Sequence, residues 1–254
     1  MKLKKMSAII LFMALISLFM LSCGKKEEVT SGGKKYLIAT DSIYAPFEFQ
    51  ENGKYVGIDI DIIEAISKLE GFEYELKPMD FGGIIAALQS GQMDGAIAGA
   101  TITEERKQAV DFSDPYYEKG LVAVVNKDNT TITKAEDLVG KRLAVKNGTA
   151  GADYVNENLK GKAEVRVYED TVSMFKAVEN GQADAAFEDL PVIEYSIKTT
   201  PDTKLKVGTD KLTLGYYGFM VKKGANKELL DKFNSGLKKI RENGEYDKIL
   251  AKYK

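Results

Sequence analysis

GQMDGAIAG, residues 91–99, returns as GQADAAFED at residues 181–189, sharing Gly, Gln, Asp and Ala at the same spacing and an offset of 90 residues. Each copy follows a segment with helical apolar period and opens a short apolar run. Gly91 and Gly181 stand where a helix ends in the left-handed conformation that glycine tolerates, and an aspartate follows at the turn into a strand. Matching helix–turn–strand units point to two similar α/β lobes. In open parallel sheets ligands bind beyond the carboxyl ends of the strands, and the repeat puts Gly99 and Asp189 at equivalent ends. If the lobes face each other, the residues after both strands meet across a cleft.

The surrounding chain alternates in the same way. YLIAT (36–40), LVAVV (121–125), RLAVK (142–146), EVRVY (164–168) and FMVKK (219–223) read as strands. Between them, DIDIIEAISKLEG places Ile62, Ile63, Ile66 and Leu69 on one helical face, with Asp59 and Asp61 in the first turn and Gly71 at the stop. FGGIIAALQSG and DTVSMFKAVENG repeat the plan with Asp80 and Asp170 ahead of the helix. This alternation predicts an α/β fold whose sheets are mainly parallel and flanked by helices on both faces.

The amino terminus is set apart. Lys2, Lys4 and Lys5 precede an uncharged run from Met6 to Leu21, short for a bilayer-spanning helix, so residues 1–22 read as an export signal. The single cysteine, Cys23, follows directly in MLSCG, an arrangement that resembles the lipobox of bacterial lipoproteins, with Met20 where leucine is usual. Lipidation at Cys23 and a polar tether over residues 23–35 are expected, which leaves no intramolecular disulfide. Without the three leader lysines the chain carries 33 basic against 38 acidic residues. There is no basic surplus to neutralise phosphates, so nucleic acid is not an expected partner.

The absence of histidine, with the one thiol at the anchor, removes the commonest zinc ligands and the usual base of a Ser or Cys nucleophile. No phosphate-cradling motif occurs, and neither a metal nor a cofactor is expected. Carboxylate-only chemistry survives as an alternative, because GQADAAFEDLP (181–191) ends on Glu188 and Asp189. Neighbouring strand residues point to opposite faces, so the two acids flank one bond only if the strand has already turned, as Pro191 suggests it does there.

What remains suits a zwitterion. In AGATITEERK (98–107), Thr101 or Thr103 can cap a helix whose early turn carries Arg106; a threonine hydroxyl, free N–H groups and a guanidinium together bind a carboxylate. A capped helix with a solvated arginine is the plainer alternative. Asp189, from the other lobe, suits an α-ammonium. Asp41, Tyr44 and Phe81 stand near loop junctions of the first lobe, where aromatic residues serve either core or ligand.

Taken together, DSIYAPFEF, VGIDID, YELKPMDFGGIIAALQSG, AIAGATITEERKQAVDFSDPYY, LAVKNGT and RENGEYDKILAKY resemble the amino-acid-binding proteins of bacterial ABC importers, in particular the glutamine-binding branch. The resemblance covers residues 36–254. It implies a two-lobed periplasmic-binding-protein fold of type II joined by a two-strand hinge, with residues 36–118 and 216–254 in one lobe and 119–215 in the other. It implies binding without catalysis, delivery to the membrane subunits of an ABC permease, and a monomer tethered by lipid on the outer face of the cytoplasmic membrane or in the periplasm.

The resemblance also implies roles. Asp41 contacts the polar end of the ligand, Tyr44 and Phe81 wall its side chain, and the Gly99 carbonyl accepts from the ammonium. Thr101 and Arg106 bind the α-carboxylate, Asp189 holds the ammonium, and Lys146 and Thr149 belong to a second-lobe loop on the carboxylate and distal side chain. Ala150 departs from a frequent glycine, and Glu188 stands where glutamine-binding members can have histidine. With Lys146 beside Glu188 the expected ligand is glutamine; with Lys146 turned away, an unpaired Glu188 favours arginine or lysine. A dehydratase-like enzyme on the same fold is the rival class, and a receptor's sensory domain is not expected, since no second apolar span or signalling domain follows.

Overall fold

The computed structural model describes residues 34–254. The expected export signal, Cys23 and the expected tether up to residue 33 lie outside the described residues. The rest builds two sheets. The first has the order β4-β1-β5-β13-β6, from Tyr74–Met79, Tyr36–Asp41, Gly95–Ala96, Met220–Lys222 and Val110–Phe112. The second is β11-β7-β10-β8-β9, from Leu205–Val207, Tyr117–Asn126, Ala185–Asp189, Arg142–Lys146 and Glu164–Tyr168, with β12 (Thr213–Tyr217) on the free part of β7. A hairpin, β2 (Phe49–Glu51) with β3 (Lys54–Val56), completes the strands. The helices are α1 (Ile58–Glu70), α2 (Ile84–Ser90), α3 (Ala150–Asn158), α4 (Thr171–Glu179), α5 (Leu190–Thr199), α6 (Lys227–Glu242) and α7 (Glu245–Lys252).

Strands that follow a helical crossover are parallel: β1 with β4 and β5, and β8 with β9 and β10. Antiparallel pairing appears where the chain passes from one sheet to the other without a helix, as β7 does against β10, β11 and β12, and β13 against β5 and β6. A strand covered on both faces calls for a near-continuous apolar run, and β7, though antiparallel to its partners, shows why. Leu121, Ala123 and Val125 enter one core of the second lobe while Val122 and Val124 enter the other. The first lobe is layered likewise, with Ile38, Ile62, Ile66, Phe233 and Leu237 on one side of its sheet and Ala39, Ile84, Leu88 and Ala96 on the other.

The two repeat units end their helices as expected: Gly91 and Gly181 have φ of 76° and 69°, and Asp170 caps α4 by accepting from the Ser173 N–H at 2.7 Å. Two local expectations fail. Leu69 is 46% exposed although Ile62, Ile63 and Ile66 are buried: at roughly 100° per residue it stands only about 20° from Ile62 on the apolar face, but it lies one residue from the end of the helix at Glu70. The segment expected to form a helix after Thr103 makes only one 3-10 turn, Arg106–Gln108, before the chain extends into β6.

Between the sheets, β7 and β12 pair from Tyr117↔Tyr217 to Leu121↔Thr213 and form the bridge between the lobes. From Gly218 onward the chain is back in the first lobe, where the Gly218 N–H donates to Ala100. The carboxyl ends of β5 and β10 thus open toward each other beside this bridge.

Candidate functional site

One cavity with about 350 Å³ of empty volume lies between the two strand ends, lined by Asp41, Tyr44, Phe81, Gly99, Thr101 and Arg106 from the first lobe, and by Lys146, Thr149, Glu188 and Asp189 from the second. Every ligand residue expected from sequence is therefore on its wall. Ala98, Leu121, Ala150, Gly151 and Phe187 fill the remainder of the lining.

At the first-lobe end, Gly99 adopts a left-handed φ of 53°, and a Cβ there would stand 2.6 Å from a ring carbon of Tyr44. Only glycine permits this turn and this approach. Its N–H donates to Asp59 Oδ2 at 2.8 Å, the oxygen that also accepts from Tyr116 Oη at 2.7 Å. Burial pushes the Asp59 carboxyl up to about 6, held back by those hydrogen bonds, and pushes neighbouring Glu48 well above the carboxylate range with help from the charge of Asp59.

Arg106 is 7% exposed and donates to the carbonyls of Thr101 and Gly148, each at 2.8 Å. Its guanidinium lies 5.5 Å from the Phe81 ring centre. Thr103, not Thr101, provides the cap, accepting from the Arg106 N–H at 3.2 Å, while Thr101 bridges to Tyr217. Burial lowers the guanidinium pKa, and among the described residues no carboxylate lies within ion-pair distance of it.

The second-lobe end is acidic. Strand alternation holds along β10, whose Glu188 registers with Val122 and Asp189 with Leu121, so the two carboxyl groups leave by different routes. Both still rim the cavity because the strand stops there: Asp189 is already the residue before α5, with Pro191 in that helix's first turn. Glu188 faces inward, 6% exposed, and accepts from Thr171 Oγ1 at 3.0 Å and the Asp189 N–H at 2.9 Å. The Tyr44 hydroxyl lies 3.0 Å from Glu188 Oε1 and 3.2 Å from Asp189 Oδ2, and thus spans both acids from the opposite lobe. Burial, followed by the charge of Asp189, pushes the Glu188 carboxyl up to about 7.

Two ion pairs complete the wall. Lys146 is bonded to Asp41 across the cleft, its Nζ 5.0 Å from the Tyr44 ring centre, and the Thr149 hydroxyl donates to the Lys146 carbonyl at 2.8 Å while capping α3. Asp189 accepts from Lys119 Nζ at 2.7 Å and from Tyr217 Oη at 2.5 Å.

Lys119 and Tyr217 escape the sequence reading. Alternation could have flagged Lys119, since it shares parity with Leu121, Ala123 and Val125, where a lysine is out of place among core residues. Tyr217 carries no comparable signal, because a buried tyrosine in a bridging strand reads as core.

Residues 36–254 match the family described as bacterial extracellular solute-binding proteins, family 3. The arginine-binding extracellular protein ArtP of Bacillus subtilis is 32% identical over 251 residues, covering 96% of this chain and 96% of that protein. A solved structure of an ancestral arginine-binding protein bound to arginine superposes with a TM-score of 0.82 at 42% identity, covering 86% of this chain and 97% of the other. A solved structure of an ancestral arginine-binding protein bound to glutamine gives 0.81 at 42% identity, covering 86% and 97%. These neighbours share the two-lobed type II arrangement of the present fold.

Proposed function

The chain belongs to the bacterial extracellular solute-binding proteins of family 3, and on that premise we propose that it captures a cationic L-amino acid, arginine first, between its lobes for delivery to an ABC permease. The observation that carries this reading is the charge pairing around the cavity. Asp41 is taken by Lys146 and Asp189 by Lys119. Arg106 is a buried cation held only by carbonyls, and Glu188 a buried acid held only by hydroxyls and an N–H. A buried charge without a counter-charge is costly, and a ligand bearing a carboxylate and a distal cation relieves both at once. The α-ammonium falls to Asp189 and the Gly99 carbonyl, and the aliphatic stem to Phe81 and Tyr44. On sequence alone glutamine came first, on the condition that Lys146 answered Glu188. Lys146 is bonded to Asp41 instead, which favours the cationic alternative.

Glutamine is the second reading, and one observation favours it: a Glu188 carboxyl raised to about 7 is neutral part of the time at physiological pH, so it can face a carboxamide without a charge to match. Lys146, still on the cavity wall, can donate to the amide oxygen.

The cycle involves no bond chemistry. Ligand binds one lobe, bridges to the other, and its greater affinity for the closed form shifts the lobe equilibrium. The moving bodies are residues 36–118 with 216–254, and residues 119–215. The protein acts as a monomer outside the cytoplasmic membrane, tethered by lipid on Cys23. Calorimetry with arginine, lysine, glutamine and glutamate tests the assignment: arginine should bind tightest, roughly tenfold or more above glutamine, for one added charge contact in a buried site. Tighter glutamate binding would overturn the cationic assignment, and no melting shift with any common amino acid would overturn amino-acid capture.

A further inference from the structure

Asp189, like Asp41 with Lys146, is filled from inside the protein, but by a lysine that does not itself line the cavity. One oxygen accepts from Lys119 and the other from Tyr217, and the side chains of Lys119 and Asp189 are 1% and 8% exposed. The lysine is held there by the bridge between the lobes. Lys119 pairs with Gly215 across the β7–β12 ladder, and a Cβ on Gly215 would lie 3.1 Å from Lys119 Cε, so the stem runs over the one residue that leaves it a path. By parity an apolar residue at 119 would simply extend the core of Leu121, Ala123 and Val125. Burying an ammonium there costs desolvation, and the fold gains no packing in return.

We infer that Lys119 is a specificity-determining residue, an internal ammonium that competes with the α-amine of the ligand for Asp189 and so shifts discrimination toward Glu188 at the other end. The inference rests on the amino-acid reading above. A ligand amine arriving at Asp189 must share the carboxylate with Lys119 or displace it. Displacement has somewhere to go: Lys119 also lines an open hollow on the far side of Thr101 and Ala150, where Glu105, Asp153 and Glu157 stand. Either way the amine gains less than it would from an unfilled acid. The ligand's carboxylate and distal group meet Arg106 and Glu188, neither of which has an ion-pair partner among the described residues, and therefore weigh more.

The test is a cycle between this lysine and the ligand's amine. Arginine and 5-guanidinopentanoate, which lacks only the α-amine, are titrated by calorimetry into the wild type, Lys119→Met and Lys119→Arg. In the wild type, deleting the amine should weaken binding modestly. In Lys119→Met the same deletion should weaken it at least tenfold more, and arginine itself should bind tighter although the ligand-free protein melts lower. Lys119→Arg should restore the wild-type ratio. If Lys119→Met does not fold, Lys119→Gln replaces it, with the same expectation. A purely structural lysine would weaken both ligands in proportion, and an unchanged or smaller amine ratio overturns the inference while leaving amino-acid binding intact. If the wild type binds neither arginine nor glutamine, the functional reading fails and this one with it.

Discussion

The ends of β5 and β10 come from the same repeated sequence and deliver opposite chemistry. In the first lobe the strand is only Gly95–Ala96, and the chain leaves it early to turn through Gly99 and return Arg106 to the cavity. What it offers is backbone, a hydroxyl and a guanidinium. In the second lobe the strand runs on to Asp189 and stops with two carboxyl groups on the rim. The difference lies in where the strand quits its sheet: an early exit spends residues on a loop that reaches back with a long cation, and a late exit brings short acids to the edge directly. The repeat thus specifies a scaffold of helix, turn and strand, and the polarity of each end is written in the few residues after the match.

The contrast breaks most severely at Arg106. Arg106→Met keeps the aliphatic stem against Phe81 but removes the charge proposed to answer the ligand carboxylate. Losing one partner of a buried, hydrogen-bonded charge pair costs about 2–5 kcal/mol, so affinity should fall by roughly 30-fold to a few thousandfold for arginine and glutamine alike. Calorimetry on both ligands checks it. A loss confined to one of them would mean that Arg106 reads the side chain and that the two ends have been assigned the wrong way round.

Much of this was legible in the sequence because it depends on local pattern. Helix stops at Gly91 and Gly181, apolar runs buried on both faces, and acids followed by a proline are readable from spacing alone, and the expected ligand residues all reach one cavity. Leu69 keeps its place on the apolar face but is exposed in the helix's last turn, which the period alone does not reveal. The helix expected to carry Arg106 shrank to a 3-10 turn because the neighbouring strand claims the backbone from Val110 onward. The Lys119–Asp189 pair was missed for another reason: it depends on which strand lies beside β10, a tertiary fact, and parity alone says only that a lysine is misplaced. The pairing of Lys146 with Asp41 rather than Glu188 is of the same kind, since it joins residues 105 apart in sequence.

At the other strand end, Glu188→Gln sharpens the contrast instead of breaking it. The amide keeps one accepting oxygen for the Tyr44 hydroxyl and the Asp189 N–H, turns its NH2 toward the Thr171 hydroxyl, which can accept, and surrenders the negative charge. Arginine affinity should drop roughly 10- to 100-fold, as for loss of a charge-assisted hydrogen bond, while glutamine affinity stays within a few-fold. Competition between the two ligands, followed by melting temperature or calorimetry, gives the ratio directly. Equal losses for both would remove Glu188 from side-chain selection.

The smallest effect is the dependence on pH, and its sign separates two roles of the same acid. Burial raises the Glu188 carboxyl from 4.5 to about 7, so the folded protein holds a proton that the unfolded chain releases. The stability this group contributes is complete below its unfolded value and is lost as pH climbs through about 7. Asp59, raised to about 6, and Glu48 act in the same direction from behind Gly99. The melting temperature of the ligand-free protein should therefore decline between pH 5 and 8. A cationic ligand needs Glu188 ionised, so arginine affinity should run the other way, weakening by up to about tenfold per unit below pH 7, while glutamine affinity stays level. In Glu188→Gln the affinity slope should vanish, and part of the stability slope should persist because Asp59 and Glu48 remain. A wild-type arginine affinity that is flat across this range would mean that Glu188 does not meet the ligand's charge, and the acidic strand end would then owe its role in recognition to Asp189 alone.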